Sequence, residues 1–72
     1  MKTNKELKQD VLNAINSERL LNATEIGVTV KNGVVTLTGI VDNALKKIEA
    51  EIVTRNIPGV KTVIEKIEVV FL

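Results

Sequence analysis

The chain has 72 residues, no cysteine and no histidine, and its 10 basic and 9 acidic side chains leave a formal net charge of +1. This length suits one small domain, residues 1–72. A charge so close to zero argues against a nucleic-acid partner, and the single aromatic residue, Phe71, cannot form a base-stacking platform. Without histidine or cysteine, Ser17 has no base to activate it. The sequence therefore predicts no enzyme, no cofactor and no metal site.

The first predicted element is a helix from Asn4 to about Ser17. Thr3-Asn4-Lys5-Glu6 has the form of a capping box, with Thr3 at the N-cap and Glu6 three residues later. Apolar residues then recur at helical spacing, at Leu7, Val11, Ala14 and Ile15. Leu12 falls outside this stripe. Leu20 and Leu21 are expected in the core at the helix exit. Residues 22–25 are predicted to be a plain connecting loop, with a ligand-binding loop as the alternative.

A β-hairpin is predicted next, centred on Asn32-Gly33. This dipeptide favours a type I′ turn, in which both central residues have positive φ. A two-residue turn fixes the register, so that Lys31 lies opposite Val34 and the pairing continues to Ile26 opposite Gly39. Gly39 relieves the packing opposite Ile26, and Asn32, Gly33, Gly39 and Gly59 are the predicted structural turn and stop positions.

The hairpin register divides its side chains into two faces. One face is apolar except for Gly39 and consists of Ile26, Val28, Val30, Val35, Leu37 and Gly39. The other is mostly hydroxyl or glycine and consists of Gly27, Thr29, Lys31, Val34, Thr36 and Thr38. The apolar face is therefore expected to lie beneath the helices.

The second helix is predicted from about Asn43 to Asn56, with Asp42 as its N-cap. Its apolar residues form two stripes, Leu45, Ile48 and Ile52 on one side and Ala50, Val53 and Ile57 on another. A wide buried face, with charged side chains reaching past it to solvent, is the favoured interpretation. The alternative is that one stripe faces a partner.

Pro58-Gly59 ends this helix, and a third strand is predicted from Val60 to Leu72. The order is α-β-β-α-β. A right-handed β-α-β crossover makes the third strand parallel to the second. The predicted fold is an α+β two-layer sandwich, with a three-stranded mixed sheet and two helices on one face. The pattern does not decide whether the third strand lies beside the second strand or beside the first, and the place beside the second is favoured.

One sequence pattern spans these elements and covers nearly the whole chain. The matching positions are Ile26, Val28, Val30, Asn32, Gly33, Val34, Val35, Thr36, Leu37, Gly39 and Val41 in the hairpin, Ala50 in the second helix, and Gly59, Val60, Val63, Ile67 and Val69 at the end. In this pattern the chain resembles the BON domain, a small module of bacterial osmotically inducible periplasmic proteins and nodulation proteins. Every matched position is structural, so the resemblance transfers no catalytic residue.

The resemblance implies a non-catalytic binding module of the bacterial cell envelope, with contact to phospholipid and a part in the stress response. The lysines considered for weak contact with an anionic phospholipid surface are Lys2, Lys5 and Lys8 at the first helix and Lys46 and Lys47 at the start of the second. Of these, the candidate site residues are Lys5, Lys8, Lys46 and Lys47. The alternative is a module for protein interaction or self-assembly, through the strand edges, the second stripe of helix 2 or the apolar carboxyl terminus.

The compartment stays open at this point. The resemblance implies the periplasm, but the polar amino terminus lacks the apolar core of a signal peptide. No run of 18 apolar residues is present, so no membrane-spanning segment is expected. The chain as written is expected in the cytoplasm, unless it is a domain of a longer exported protein.

Overall fold

The computed structural model describes residues 2–21 and 25–70. The elements follow the predicted order, as α1 (Asn4–Ser17), β1 (Glu25–Lys31), β2 (Val34–Val41), α2 (Ala44–Arg55) and β3 (Thr62–Val69). The three strands form one sheet in the order β1-β2-β3. The predicted α+β architecture is thus confirmed, including the placement of β3 beside β2.

Helix α1 has the predicted bounds and the predicted cap. The Glu6 backbone N–H donates to Thr3 Oγ1 at 3.1 Å, and the Thr3 backbone N–H donates to Glu6 Oε1 at 3.1 Å. This reciprocal pair satisfies two backbone donors that a helix start otherwise leaves free. Leu7, Val11 and Ile15 are its buried residues, as the apolar stripe predicts.

The hairpin forms around the predicted turn. Asn32 and Gly33 have φ of 50° and 83°, the positive values that a type I′ turn requires at both central positions. Strands β1 and β2 pair antiparallel with Lys31 opposite Val34, Val28 opposite Leu37 and Ile26 opposite Gly39. The register derived from the turn is therefore confirmed along the whole hairpin.

Strand β3 pairs with β2 in parallel, with Val35 opposite Val63 and Gly39 opposite Ile67. It begins at Thr62, two residues later than predicted, because the Val60 N–H still donates to the Ile57 carbonyl at 3.2 Å in the turn after α2. At its other end β3 stops at Val69. Phe71 and Leu72, which the prediction included in this strand, lie outside the described residues.

Both helices cover the apolar face of the sheet, as predicted. The buried cluster lies between the helix layer and the sheet. It consists of Val11, Ile15, Leu21, Val28, Val35, Leu37, Val41, Ala50 and Ile67. Leu21 is fully buried and Leu20 is half-buried at the exit of α1. The predicted connector over residues 22–25 lies outside the described residues except for Glu25, which begins β1.

Helix α2 differs from the prediction at its start. Asn43, not Asp42, is the N-cap, because Asn43 Oδ1 accepts from the Lys46 backbone N–H at 2.9 Å. Asp42 instead forms an ion pair with the Lys46 ammonium at 2.9 Å, one turn along the helix. Two adjacent residues that both cap well cannot be ranked from composition alone, which explains the error of one position.

The predicted wide buried face of α2 is wrong for one of its two stripes. Leu45, Ile48 and Ile52 are 60%, 51% and 46% exposed, whereas Ala50 is fully buried. Thr54, which the pattern did not assign to the core, is also fully buried, and its hydroxyl donates to the Ala50 carbonyl at 2.8 Å. The helix therefore turns one apolar stripe toward solvent, which we call the α2 stripe (Leu45, Ile48 and Ile52).

Candidate functional site

One end of the molecule is built from three segments that are distant in sequence, and we call it the turn end. The Asn32 N–H at the hairpin turn donates to Asn4 Oδ1 at the start of α1, at 2.9 Å. The Lys61 N–H donates to the Gly33 carbonyl at 2.8 Å, which brings in the segment after α2. A local sequence signal, the Asn-Gly turn, thus anchors both the first helix and the last strand.

The turn end contains five of the lysines. Lys5 and Lys8 lie on the first two turns of α1, Lys31 precedes the hairpin turn, and Lys61 lies against Gly33. Lys2 contacts the Pro58 carbonyl through its ammonium, at 3.4 Å. The hydrogen bonds and element ends described above fix the backbone positions of these five lysines. The side chains of all five are exposed.

Two acidic residues, Glu6 and Asp10, accompany these lysines, and both are already engaged. Asp10 forms an ion pair with Lys2, and Glu6 closes the capping box of α1. The hydrogen bond that the Glu6 carboxylate accepts from the Thr3 backbone N–H lowers the pKa of Glu6 below its usual value, so this carboxylate is charged at neutral pH. Glu51 and Arg55, near the carboxyl end of α2 at this same end of the molecule, pair with each other and add no net charge. Five lysines against Glu6 and Asp10 therefore give this end a formal charge of about +3, while the whole chain carries +1.

Lys46 and Lys47 lie at the opposite end of the molecule, in the first turn of α2. The length of α2, about 18 Å, separates them from the turn end. Both already have an acidic partner. Lys46, whose side chain is 21% exposed, pairs with Asp42 at 2.9 Å and lowers the pKa of that carboxyl, and Lys47 pairs with Glu65 at 3.6 Å.

The four candidate lysines therefore form two separate groups. Lys5 and Lys8 lie at the same end of the molecule as Lys2, Lys31 and Lys61, although Lys31 belongs to the open face of the sheet and the two helix lysines do not. Lys46 and Lys47 lie at the opposite end. Lys31 and Lys61 were not among the candidates from the sequence. The signal for Lys31 was its position beside the predicted turn, whereas the position of Lys61 depends on the tertiary contact between Gly33 and the residues after Gly59.

An open groove of about 600 Å³ lies within the turn end. It is lined by Lys2, Thr3, Asn4, Leu7, Asn32, Gly33, Gly59 and Lys61. Its polar groups are ammonium groups, a hydroxyl and amides, which hydrogen-bond to or attract anions but offer no paired base and nucleophile. Within residues 2–21 and 25–70, no three acidic side chains are grouped closely enough to hold a metal ion.

Neither described helix has the length and apolar character needed to cross a bilayer. The turn end offers charge, and the α2 stripe offers apolar surface on a different part of the molecule.

Comparison with known proteins agrees with this fold. A search of curated proteins finds no match to the chain. The family model for the BON domain matches residues 3–70, which covers all five described elements. Members of this family are generally binding modules, in keeping with the groove and the exposed surfaces described above. On this match over nearly its entire length, the chain belongs to the BON domain family.

Proposed function

We propose that the chain is a non-catalytic binding module that attaches weakly to anionic phospholipid surfaces of the cell envelope through its turn end. The observation that carries this proposal is the gathering of Lys2, Lys5, Lys8, Lys31 and Lys61 at one end of the molecule. A net charge of +1 alone predicts almost no attraction to such a surface. The asymmetry between a turn end of about +3 and a remainder of about −2 supports an oriented approach instead.

Charge attraction alone sets the strength of this contact. A basic side chain near an anionic membrane surface contributes about 1 kcal/mol, and the chain has no tryptophan or tyrosine to anchor at the interface. The contact is therefore superficial and reversible. It weakens as salt rises, because the screening length falls from about 10 Å at 0.1 M to about 3 Å at 1 M.

Co-sedimentation with vesicles tests this proposal. The protein is expected to sediment at low salt with vesicles that contain phosphatidylglycerol, and not with vesicles of phosphatidylcholine alone. The double variant Lys5→Gln/Lys61→Gln should bind about 30-fold more weakly, since two contributions of about 1 kcal/mol are lost. Both lysines are exposed, so this variant should keep the stability of the parent protein.

The matched control is Lys46→Gln/Lys47→Gln, which changes the net charge by the same amount at the opposite end. Its binding should stay within about threefold of the parent, because those ammonium groups already face Asp42 and Glu65. Equal losses in both variants would mean that net charge, and not the turn end, controls binding. An absence of binding to anionic vesicles at low salt would remove the lipid proposal.

Protein interaction is a second candidate function, and the α2 stripe is the observation that favours it. Leu45, Ile48 and Ile52 form an exposed apolar row at positions i, i+3 and i+7, the spacing of a helix–helix contact. Glu49 flanks this row on one side, and the Glu51–Arg55 ion pair flanks it on the other. One carboxylate and one ion pair give no attraction to an anionic membrane, whereas the exposed apolar row suits a protein partner with an apolar ridge.

This second candidate requires that the α2 stripe be dispensable for folding. Ile48→Gln is expected to leave the free energy of unfolding within about 0.5 kcal/mol of the parent, because the side chain is 51% exposed. Urea unfolding measures this difference. A loss of about 2 kcal/mol or more would assign Ile48 to the core and would remove the argument for a partner at this stripe.

A further inference from the structure

The sheet has two edge strands, β1 and β3, which differ in whether side chains cover their outward-facing N–H groups. At the start of β3 the Thr62 N–H donates to the Gly33 carbonyl, just before β2, and just after β3 the Val70 N–H donates to the Val41 carbonyl at the end of β2. Odd-numbered residues of β3 therefore point their N–H groups away from the sheet. One of these, the Ile67 N–H, donates to Glu65 Oε1 at 2.6 Å, and Lys47 pairs with the same carboxylate. Charged side chains of this kind protect an edge from pairing.

The direction of the backbone groups in β1 follows from the same contacts. Since the Gly33 and Val41 carbonyls face β3, the even-numbered residues of β2 face β1, and their partners are Glu25, Gly27, Thr29 and Lys31. The remaining residues of β1, Ile26, Val28 and Val30, therefore direct their N–H and C=O groups to the open edge. Among the described residues, no side chain accepts a hydrogen bond from Val28 or Val30 N–H, so this edge lacks the protection found on β3.

The sequence of β1 is complementary to itself when reversed. Placing two copies antiparallel about Val28 sets Ile26 opposite Val30 of the other copy and Glu25 opposite Lys31 of the other copy. The outward-facing residues Ile26, Val28 and Val30 then form the pairs that exchange two N–H···O bonds each. Their side chains lie on the helix-covered face, so the apolar layer continues across the junction. Opposite charges meet at both ends.

Helix α1 provides an apolar side chain, Leu12, above the Val28 position of β1. Asn4 is level with Asn32 because they share a hydrogen bond. Leu12 lies about 12 Å along the helix from Asn4, and Val28 lies about 13 Å along the strand from Asn32, so both are at a similar level. Asp10, two residues from Leu12, pairs with Lys2 on the flank toward Pro58 and α2. Leu12 therefore lies on the opposite flank, above the β1 edge, where it is only partly buried.

We propose that the β1 edge pairs antiparallel with the β1 edge of a second copy of this chain, giving a symmetric dimer with a continuous six-stranded sheet. Each copy presents the same surface to the other, as a twofold interface requires. The bonds are those of strand addition, with Leu12 meeting its counterpart above the Val28 pair. The buried surface comes from one strand and one side of a helix, so the dimer belongs to the small, reversible class of interface.

Two measurements in lipid-free buffer test this pairing on the unmodified protein. Sedimentation equilibrium should show a mass that rises with concentration from 7.9 kDa toward twice that value. Hydrogen exchange should show that the Val28 and Val30 amides become slower to exchange as concentration rises. The Thr29 amide, which faces β2, should be unaffected. A monomer at millimolar concentration would overturn the proposal, as would a dimer in which the Val28 and Val30 amides exchange as fast as in the monomer.

Reversing the charge of Lys31, an exposed residue, gives a second test of the dimer that leaves the hydrophobic core unchanged. Lys31→Glu should weaken the dimer about tenfold, because it sets two carboxylates opposite each other at both ends of the pairing. The double variant Glu25→Lys/Lys31→Glu should restore the parent affinity. Lys66→Glu, on the open face of β3, makes the same change in net charge and should leave the dimer unchanged. Failure of the double variant to restore the dimer would contradict this register, while leaving the proposal for lipid contact untouched.

Discussion

Replacing Gly39 with alanine is expected to lower the free energy of unfolding by about 3 kcal/mol. Gly39 has a φ of 138°, which side chains rarely tolerate, and a Cβ placed there would lie 2.4 Å from the Glu25 carbonyl oxygen. That oxygen belongs to the backbone of β1, so the contact can be relieved only by shifting the strand. A chain of 72 residues has roughly 4–11 kcal/mol of stability in total, so this loss is a large part of it.

Thermal unfolding followed by circular dichroism measures this effect. The midpoint should fall by about 12–24 °C, given the usual relation between free energy and midpoint for a domain of this size. Gly27→Ala is the matched control, because Gly27 lies in the neighbouring strand without a positive φ. A Cβ there would lie 2.7 Å from the Thr38 hydroxyl, which can rotate away, and 3.9 Å from the Thr38 carbonyl oxygen, an ordinary contact. Similar losses in the two variants would contradict the special role of Gly39.

The second large effect is expected at Leu37, at the centre of the core. Its side chain is fully buried, in the middle strand of the sheet and beneath both helices. Leu37→Ala removes that packing and leaves a cavity, which costs about 2–5 kcal/mol in cores of this kind. The domain has no disulfide to compensate, since the chain has no cysteine.

Urea unfolding should show a lower midpoint for Leu37→Ala, by about 2 M or more if the slope is about 1 kcal/mol per M. Ile40→Ala is the comparison within the same strand. Ile40 is 61% exposed on the open face, so the same reduction in side-chain size should cost much less. If the two variants unfolded at the same urea concentration, the assignment of the two sheet faces would be wrong.

Local chemistry explains why the hairpin and the direction of β3 could be predicted from the sequence, whereas the edge that β3 joins could only be favoured. Asn32-Gly33 fixes the turn, the turn fixes the register, and the register decides which side chains share a face. The crossover rule then places β3 parallel to β2. Each step needs only neighbouring residues and the handedness of the backbone.

The second helix was harder to predict because its sequence has more apolar positions than its buried side requires. Periodicity identifies two stripes, but only the packed structure shows that Ala50 and Thr54 face the core and that Ile48 and Ile52 do not. A small alanine and a threonine bonded to its own helix allow close approach to the sheet. Judged by apolar character alone, both stripes were predicted to belong to one wide buried face of α2.

The candidate site had a similar limit. Lysines on one helix can be grouped from the sequence, as Lys5 and Lys8 were. Lys61 joins them only through the hydrogen bond of its backbone to Gly33, a contact between residues that are far apart in the chain. A binding surface assembled from α1, the hairpin turn and the segment after α2 therefore became visible only once these segments were placed together.

The most direct test of the proposed function is an amide chemical-shift map of the labelled protein, titrated with bicelles that contain phosphatidylglycerol. The proposal predicts that the largest shifts fall at the turn end, on Lys5, Lys8, Lys31 and Lys61 and on the Asn32-Gly33 turn, and that raised salt reverses them. Residues at the start of α2 should shift little. Shifts centred on Lys46, Lys47 or the α2 stripe, or no shifts at low salt, would contradict lipid contact through the turn end.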